Sequence, residues 1–186
     1  MIKPYVPPGL KLKGHYTPTL RLSTKNDYES IKIAKQEWRL KNLDVDRFRN
    51  GDLIPHIKDK GEWMKAGLNK QPAWYYYDNI SENGRINGKL YNWYAVNDKR
   101  GLAPAGWNVP SHEKLTILQK FLGLDYAGYK MKSVESWDDW EDEDGDIFDG
   151  NGDNSSGFNA LPGGYLVYYN GTRDDCFSCI RKTASF

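Results

Sequence analysis

The sequence predicts an α+β fold: a loop-rich domain with short strands and two short helices, carried on an extended N-terminal arm. Three observations predict it. The stretch from Gly88 to Ser111 packs two Trp, two Tyr and two Pro among turn-forming residues, as a core made by loops would. Helical periodicity with matching start and stop signals occurs near residues 59–67 and 111–123, whereas the other apolar runs are short and extended. The composition is rich in large aromatics, 14% with 7 Trp and 13 Tyr, at a mean hydropathy of -0.78. Few but large apolar side chains suit a loop-rich, ligand-facing module better than a helical bundle.

With 186 residues, one domain plus an extension is expected: an arm over 1–35 and a domain over 36–186. The net charge of +1 gives no field for general nucleic-acid binding. No apolar run approaches the length of a membrane span. The first residues, Met1 to Gly9, show neither the apolar stretch nor the small-residue cleavage site of a secretory signal, so synthesis in the cytoplasm is expected.

Element by element, the arm is basic (Lys3, Lys11, Lys13, Arg21, Lys25) and Pro-rich (Pro4, Pro7, Pro8, Pro18), which favours extended chain. It reads either as a disordered tail or as an anchor that orders on a partner. Within it Leu20, Leu22, Ile31 and Ile33 alternate in short extended pieces. Residues 37–43 alternate as a half-buried strand with Trp38 and Leu40 inward, and Arg49 to Asp52 is a turn. Asp59 caps a first helix with Glu62 in its first turn, Trp63 and Met64 inward and Gly67 at its end. Pro72 to Tyr77 reads as an aromatic strand, and Asp78 to Gly88 as a loop with hairpin-type Asn-Gly turns. Leu90 to Val96 is a buried aromatic segment, Asn97 to Gly101 a turn, and Trp107 points inward. Ser111 opens the second helix, with Leu115, Leu118, Phe121 and Leu122 on one face and Gly123 as its stop. Phe158 and Leu161 are core candidates; Tyr165 to Tyr169 is a strand, Asn170-Gly171 a turn, and Phe177 to Phe186 a returning strand.

Ser136 to Asn154 is dominated by Asp and Glu and punctuated by Gly. Such oxygen-rich loops suit calcium, which would relieve the repulsion among the carboxylates. Asp144, Asp146, Asp149, Asn151 and Asp153 are the candidate ligands; the alternative is a solvated surface loop. Asp149, Asn151 and Asp153 copy the first three ligand positions of an EF-hand, but Asn154 stands where that loop needs Gly and Ala160 where it needs Glu. Beside this loop, Tyr126, Tyr129, Trp137 and Trp140 are candidate ligand-binding aromatics, with core or loop packing as the alternative. Cys176 and Cys179 form a lone Cys-Phe-Ser-Cys that reads as free thiols, with a local disulfide or metal and redox work as alternatives.

Several long words of the sequence carry a resemblance. They are Gly88-Lys-Leu-Tyr-Asn-Trp-Tyr-Ala-Val-Asn-Asp, Arg100-Gly-Leu-Ala-Pro, Gly106-Trp-Asn-Val-Pro-Ser and Asn154-Ser-Ser-Gly-Phe-Asn-Ala-Leu-Pro-Gly-Gly. With Trp38 to Asp52, Pro72 to Tyr77 and Lys130 to Ser133 they come in the order of the Fibrobacter succinogenes major paralogous domain family, which the chain resembles over roughly residues 36–170. The resemblance implies a C-type-lectin-like fold, with two helices flanking a twisted antiparallel sheet. It brings no catalytic role. Members are often exported and lipid-anchored, from which the signal-free start departs. The family pattern continues past the point where this chain stops, so the last strands would be missing or supplied by a partner.

No phosphate loop, nucleophile elbow or His-Glu-x-x-His is present, so no catalytic residue is named. The expected function is a non-enzymatic binding or structural module in a virion: a head fibre, decoration protein or tail adhesin, built as a homo-oligomer. Its arm would engage protein partners and its lectin-like body a glycan or host-surface ligand. One alternative is a bacterial cell-surface or exported binding protein of the same family. The other is an enzyme related to the formylglycine-generating enzymes, which share the fold family and use a cysteine pair.

Overall fold

The computed structural model describes residues 28–163 and, outside them, the backbone of short strands at 19–22, 165–166 and 180–181. In chain order the elements are β1 (Thr19–Leu22), β2 (Glu29–Ile33), β3 (Gln36–Arg39), α1 (Lys60–Leu68), β4 (Trp74–Tyr75), a 3-10 turn (Tyr77–Asn79), α2 (Ser81–Asn87), β5 (Leu90–Tyr91), α3 (Trp93–Val96), α4 (His112–Leu122), α5 (Ala127–Met131), β6 (Trp140–Glu141), β7 (Ile147–Phe148), β8 (Tyr165–Leu166) and β9 (Ile180–Arg181). The fold is α+β and loop-rich. Among the described residues the strands form one three-stranded sheet, β1-β2-β3, and three two-stranded ribbons, all antiparallel. The chain divides into two compact units, residues 1–40 with 112–162, and residues 41–111 with 163–186.

In the first unit, the alternation of β2 buries Ile31 and Ile33 completely. Ile31 pairs with Leu20 on one side and Trp38 on the other. The β2–β3 turn at Ala34 lies where the sequence places the end of the arm, and Ala34 has φ of 54°. Trp38 meets Phe158 edge to face, with ring centroids 6.4 Å apart. β3 ends at Arg39, short of the expected 37–43, although Leu40 N–H still donates to Glu29 O. α4 starts directly after Ser111, as expected, and buries Leu118 and Leu122. Phe121, expected on the same buried face, is 48% exposed. Gly123 leaves the helix at φ of 93°. α5 was not legible in the sequence. Its single turn is fixed by Lys130 N–H to Tyr126 O and Lys132 N–H to Gly128 O, while the Lys130 ammonium donates to Leu122 O at the end of α4. Phe158 is core as expected; Leu161 is half-buried and Ala160 takes the interior position.

In the second unit, β4 and β5 separate two apolar clusters. Trp74 pairs with Tyr91 and both join Phe48, Ile54, Ala95 and Leu102. Tyr75 pairs with Leu90 and both join Trp63, Ala66 and Ala73. Period-2 alternation thus makes two residues per strand serve two cores. Asp59 caps α1 by accepting from Gly61 N–H and Glu62 N–H, and the helix runs one residue beyond Gly67. The aromatic strand expected over 72–77 is confined to Trp74–Tyr75, since Tyr77 enters the 3-10 turn. The loop expected over 78–88 contains α2. The Asn83-Gly84 pair predicts a turn, but a Cβ on Gly84 would meet the Tyr76 ring at 2.1 Å. It is glycine to admit that ring. Leu90 to Val96 divides at Asn92, which caps α3 and leaves Trp93 62% exposed. The turn at 97–101 forms as read, with Gly101 at φ of 80°, and Trp107 is half-buried. β8 and β9 pair within the two stretches expected to return on each other. Cys176, Cys179, the Asn170-Gly171 turn and the arm prolines lie outside the described residues.

Candidate functional site

The stretch read as an acidic loop is a short hairpin held on a fixed base. β6 and β7 set Trp140 opposite Phe148 and Glu141 opposite Ile147. Between them, Asp142 turns the chain. Its Oδ1 accepts from Asp144 N–H and Asp146 N–H, its backbone exchanges bonds with Asp146 and Gly145, and Gly145 takes φ of 86°.

The base is tight. A Cβ on Gly150 would lie 1.7 Å from Asp138 O, and one on Gly152 would lie 2.2 Å from Tyr129 O. Glycine is required because backbone passes against backbone. Gly152 N–H donates to Ser133 O, Asp153 N–H to Tyr129 O and Ser156 N–H to Lys130 O, which ties the segment after the hairpin to α5. The Lys132 ammonium donates to Gly150 O at 2.8 Å and lies 4.5 Å from the Trp137 ring centroid. Burial pushes its pKa below the ordinary lysine value, and Asp149 pulls in the opposite direction.

The four candidate aromatics have different surroundings. Trp137 is tied into the base: its indole N–H donates to Ala160 O at 2.9 Å and its backbone N–H to Asn151 Oδ1 at 3.0 Å. Tyr126 precedes α5 and is half-buried. Tyr129 sits on α5, and burial, then Asp153 and Asp149, raises its phenol pKa. Trp140 is on the hairpin itself, 53% exposed and stacked on Phe148 at 4.5 Å and 16°. Phe148 was not singled out in the sequence. The signal was there, since Glu141 to Asp146 with Gly145 is a turn flanked by Trp140 and Ile147-Phe148.

The five candidate calcium ligands serve the loop or face outward. Asp149 Oδ1 accepts from Asn151 N–H and Nδ2, Asn151 Oδ1 from Trp137 N–H, and Asp153 Oδ1 from Ser155 N–H. Asp144 and Asp146 offer their backbone N–H groups to Asp142, and both residues are exposed. Among the described residues no three His, Cys, Asp or Glu side chains come together to hold a metal ion.

The other concentration of charge has a structural task. Arg100 bonds Asp98 at 2.8 Å and Asp52 at 3.0 Å, and its guanidinium lies 4.0 Å from the Phe48 ring centroid. The Arg100 hydrogen bond takes the Asp98 carboxyl down to about 2. Arg49 donates to Ala103 O and Trp107 O, so the arginines clamp the loop after α3. Nearby, His56 stacks on Trp74 at 3.8 Å, and Lys89 lies 4.7 Å from the Trp74 ring centroid while paired with Asp44.

The described residues thus form an α+β structure of aromatic-rich loops, with an exposed aromatic hairpin. The family model of the Fibrobacter succinogenes major domain matches residues 31–186, and the chain belongs to that family. Comparison with curated proteins and with solved structures gives no match.

Proposed function

We propose that the chain is a non-enzymatic recognition module of C-type-lectin-like type, with the β6–β7 hairpin as its binding surface. The observation that carries this reading is the Trp140–Phe148 stack, half open to solvent on a hairpin whose base is fixed by Gly150, Gly152 and Lys132. A rigid aromatic face loses little conformational entropy when a ligand covers it, which is why such residues anchor interfaces. Among the described residues, the large pKa shifts fall in the Arg100 clamp, where both carboxylates hold a loop.

The setting we propose is a larger assembly, a virion component engaged through the basic, Pro-rich arm. Detection of the chain in purified particles supports that setting, and its recovery in cell-envelope fractions alone replaces it with the bacterial-surface alternative. The binding reading is tested on a panel of neutral oligosaccharides and peptides of both charges. Binding should be lost in Trp140→Ala and kept in Trp93→Ala, an exposed Trp of the other unit. Equal binding by both variants would remove the hairpin from the account.

A further inference from the structure

Resting on the reading of the β6–β7 hairpin as the binding surface, we propose that its ligand is a cationic peptide segment that lays an Arg or Lys side chain on Trp140. The aromatic face comes first in the argument. Trp140 is the exposed member of a stacked pair, and the face of an indole carries negative potential that attracts a cation.

The surroundings select the sign. Residues 135–153 hold ten Asp or Glu and no Lys or Arg, in a chain whose net charge is +1. Among the described residues, none of these ten carboxylates forms an ion pair. Asp139, Asp142 and Asp149 each accept from backbone N–H groups of the same segment, and Asp153 accepts from Ser155 N–H just after it. Asp138, Glu141, Glu143, Asp144 and Asp146 are exposed, and among the described residues their side chains make no hydrogen bond. Carboxylates without ion pairs on the hairpin that also carries an open aromatic ring favour a positively charged partner twice, by the ring's cation–π attraction and by the field that steers the partner in. A neutral sugar would gain stacking and hydroxyl hydrogen bonds to the carboxylates but nothing from the field, and an anionic ligand would be repelled. Arginine fits best, since its flat guanidinium stacks on an indole while its edge N–H groups reach carboxylates.

The test is calorimetric titration of the full chain with a peptide of Arg-Gly-Gly repeats. Peptides with Gln or Glu in place of Arg, and a neutral oligosaccharide, are run beside it. The Arg peptide should bind, more weakly as salt rises, while the Gln and Glu peptides give no heat. Affinity should fall by about tenfold or more in Trp140→Ala, and likewise in the triple variant Glu141→Gln, Glu143→Gln, Asp144→Asn. Melting curves check that both variants fold, and the triple variant leaves the aromatic stack untouched. Equal binding of the Arg and Gln peptides, or unchanged affinity in both variants, overturns the proposal. Trp140-dependent binding of the oligosaccharide without binding of the Arg peptide overturns the cationic assignment but keeps the hairpin as binding surface. Binding that ignores Trp140 for every probe overturns both.

Discussion

Asn92 does more for this fold than its size suggests. Its side chain is almost fully buried, accepts from Ala73 N–H and Ala95 N–H, and donates to Gln71 O at 2.7 Å. One amide therefore caps α3 and closes the chain just before β4. Asn92→Leu keeps the bulk but strands Ala73 N–H and Gln71 O, and leaves Ala95 N–H with the Asn92 carbonyl alone. The expected loss is on the order of 3 kcal/mol or more, read as a lower urea midpoint at unchanged slope. His56 is a second residue with a measurable consequence. Its Nε2 is buried and has no hydrogen-bond partner among the described residues, and burial first, then Lys58 and Lys89, lowers its pKa from 6.5. The folded state therefore favours the neutral ring. The stability this contributes is fully present above pH 6.5, where the unfolded chain is also neutral, and is lost as pH falls towards the lower folded value. The denaturation midpoint should decline from pH 7 to pH 5, and His56→Gln should flatten that decline; an identical slope in the variant would show that other groups carry it.

At the scale of elements, the hairpin depends on what happens at its base. Gly150→Ala drives a methyl group into Asp138 O, so the segment must move. Amide hydrogen exchange should speed up over residues 138–152 and stay unchanged over 41–111. Gly128→Ala, in α5 with nothing within 4 Å of its Cβ, should be neutral or stabilising by about 0.5–1 kcal/mol, and so separates the clash from a general loss of glycine. These elements also show what the sequence could tell. Asp59 before α1 and Gly123 after α4 are local signals, and each acts within its own turn. The Ile31 and Ile33 alternation was legible because one face of β2 is fully buried. α2 was hidden because Gly84 looks like a turn residue, whereas its reason lies eight positions away, at the Tyr76 ring. Likewise Trp137 and Trp140 are alike on paper. A carbonyl 23 residues along the chain, Ala160 O, takes the first into the base of the hairpin and leaves the second outside.

Across the whole molecule, charge and exposed aromatic surface are distributed unevenly. In the unit formed by 41–111 with 163–186, the Arg100, Asp98, Asp52 and Lys89, Asp44 ion pairs close on themselves and stabilise loops. In the other unit, the acidic hairpin carries an open indole, and among the described residues its carboxylates form no ion pair. Family membership accounts for the long aromatic words that build the domain. It leaves the ligand to be read from this chain's own surface, because a fold supports many functions and the site decides among them. Among the described residues no helix is long and apolar enough to cross a membrane.

Fluorine NMR of the chain labelled with 5-fluorotryptophan is the most direct test of the hairpin as the recognition surface. The Trp140 resonance is the one that disappears in Trp140→Phe. On titration with the probe panel, that resonance should shift while those of buried Trp63 and Trp74 stay in place. A panel in which every bound ligand moves Trp93, or any other indole, and leaves Trp140 still would contradict the account.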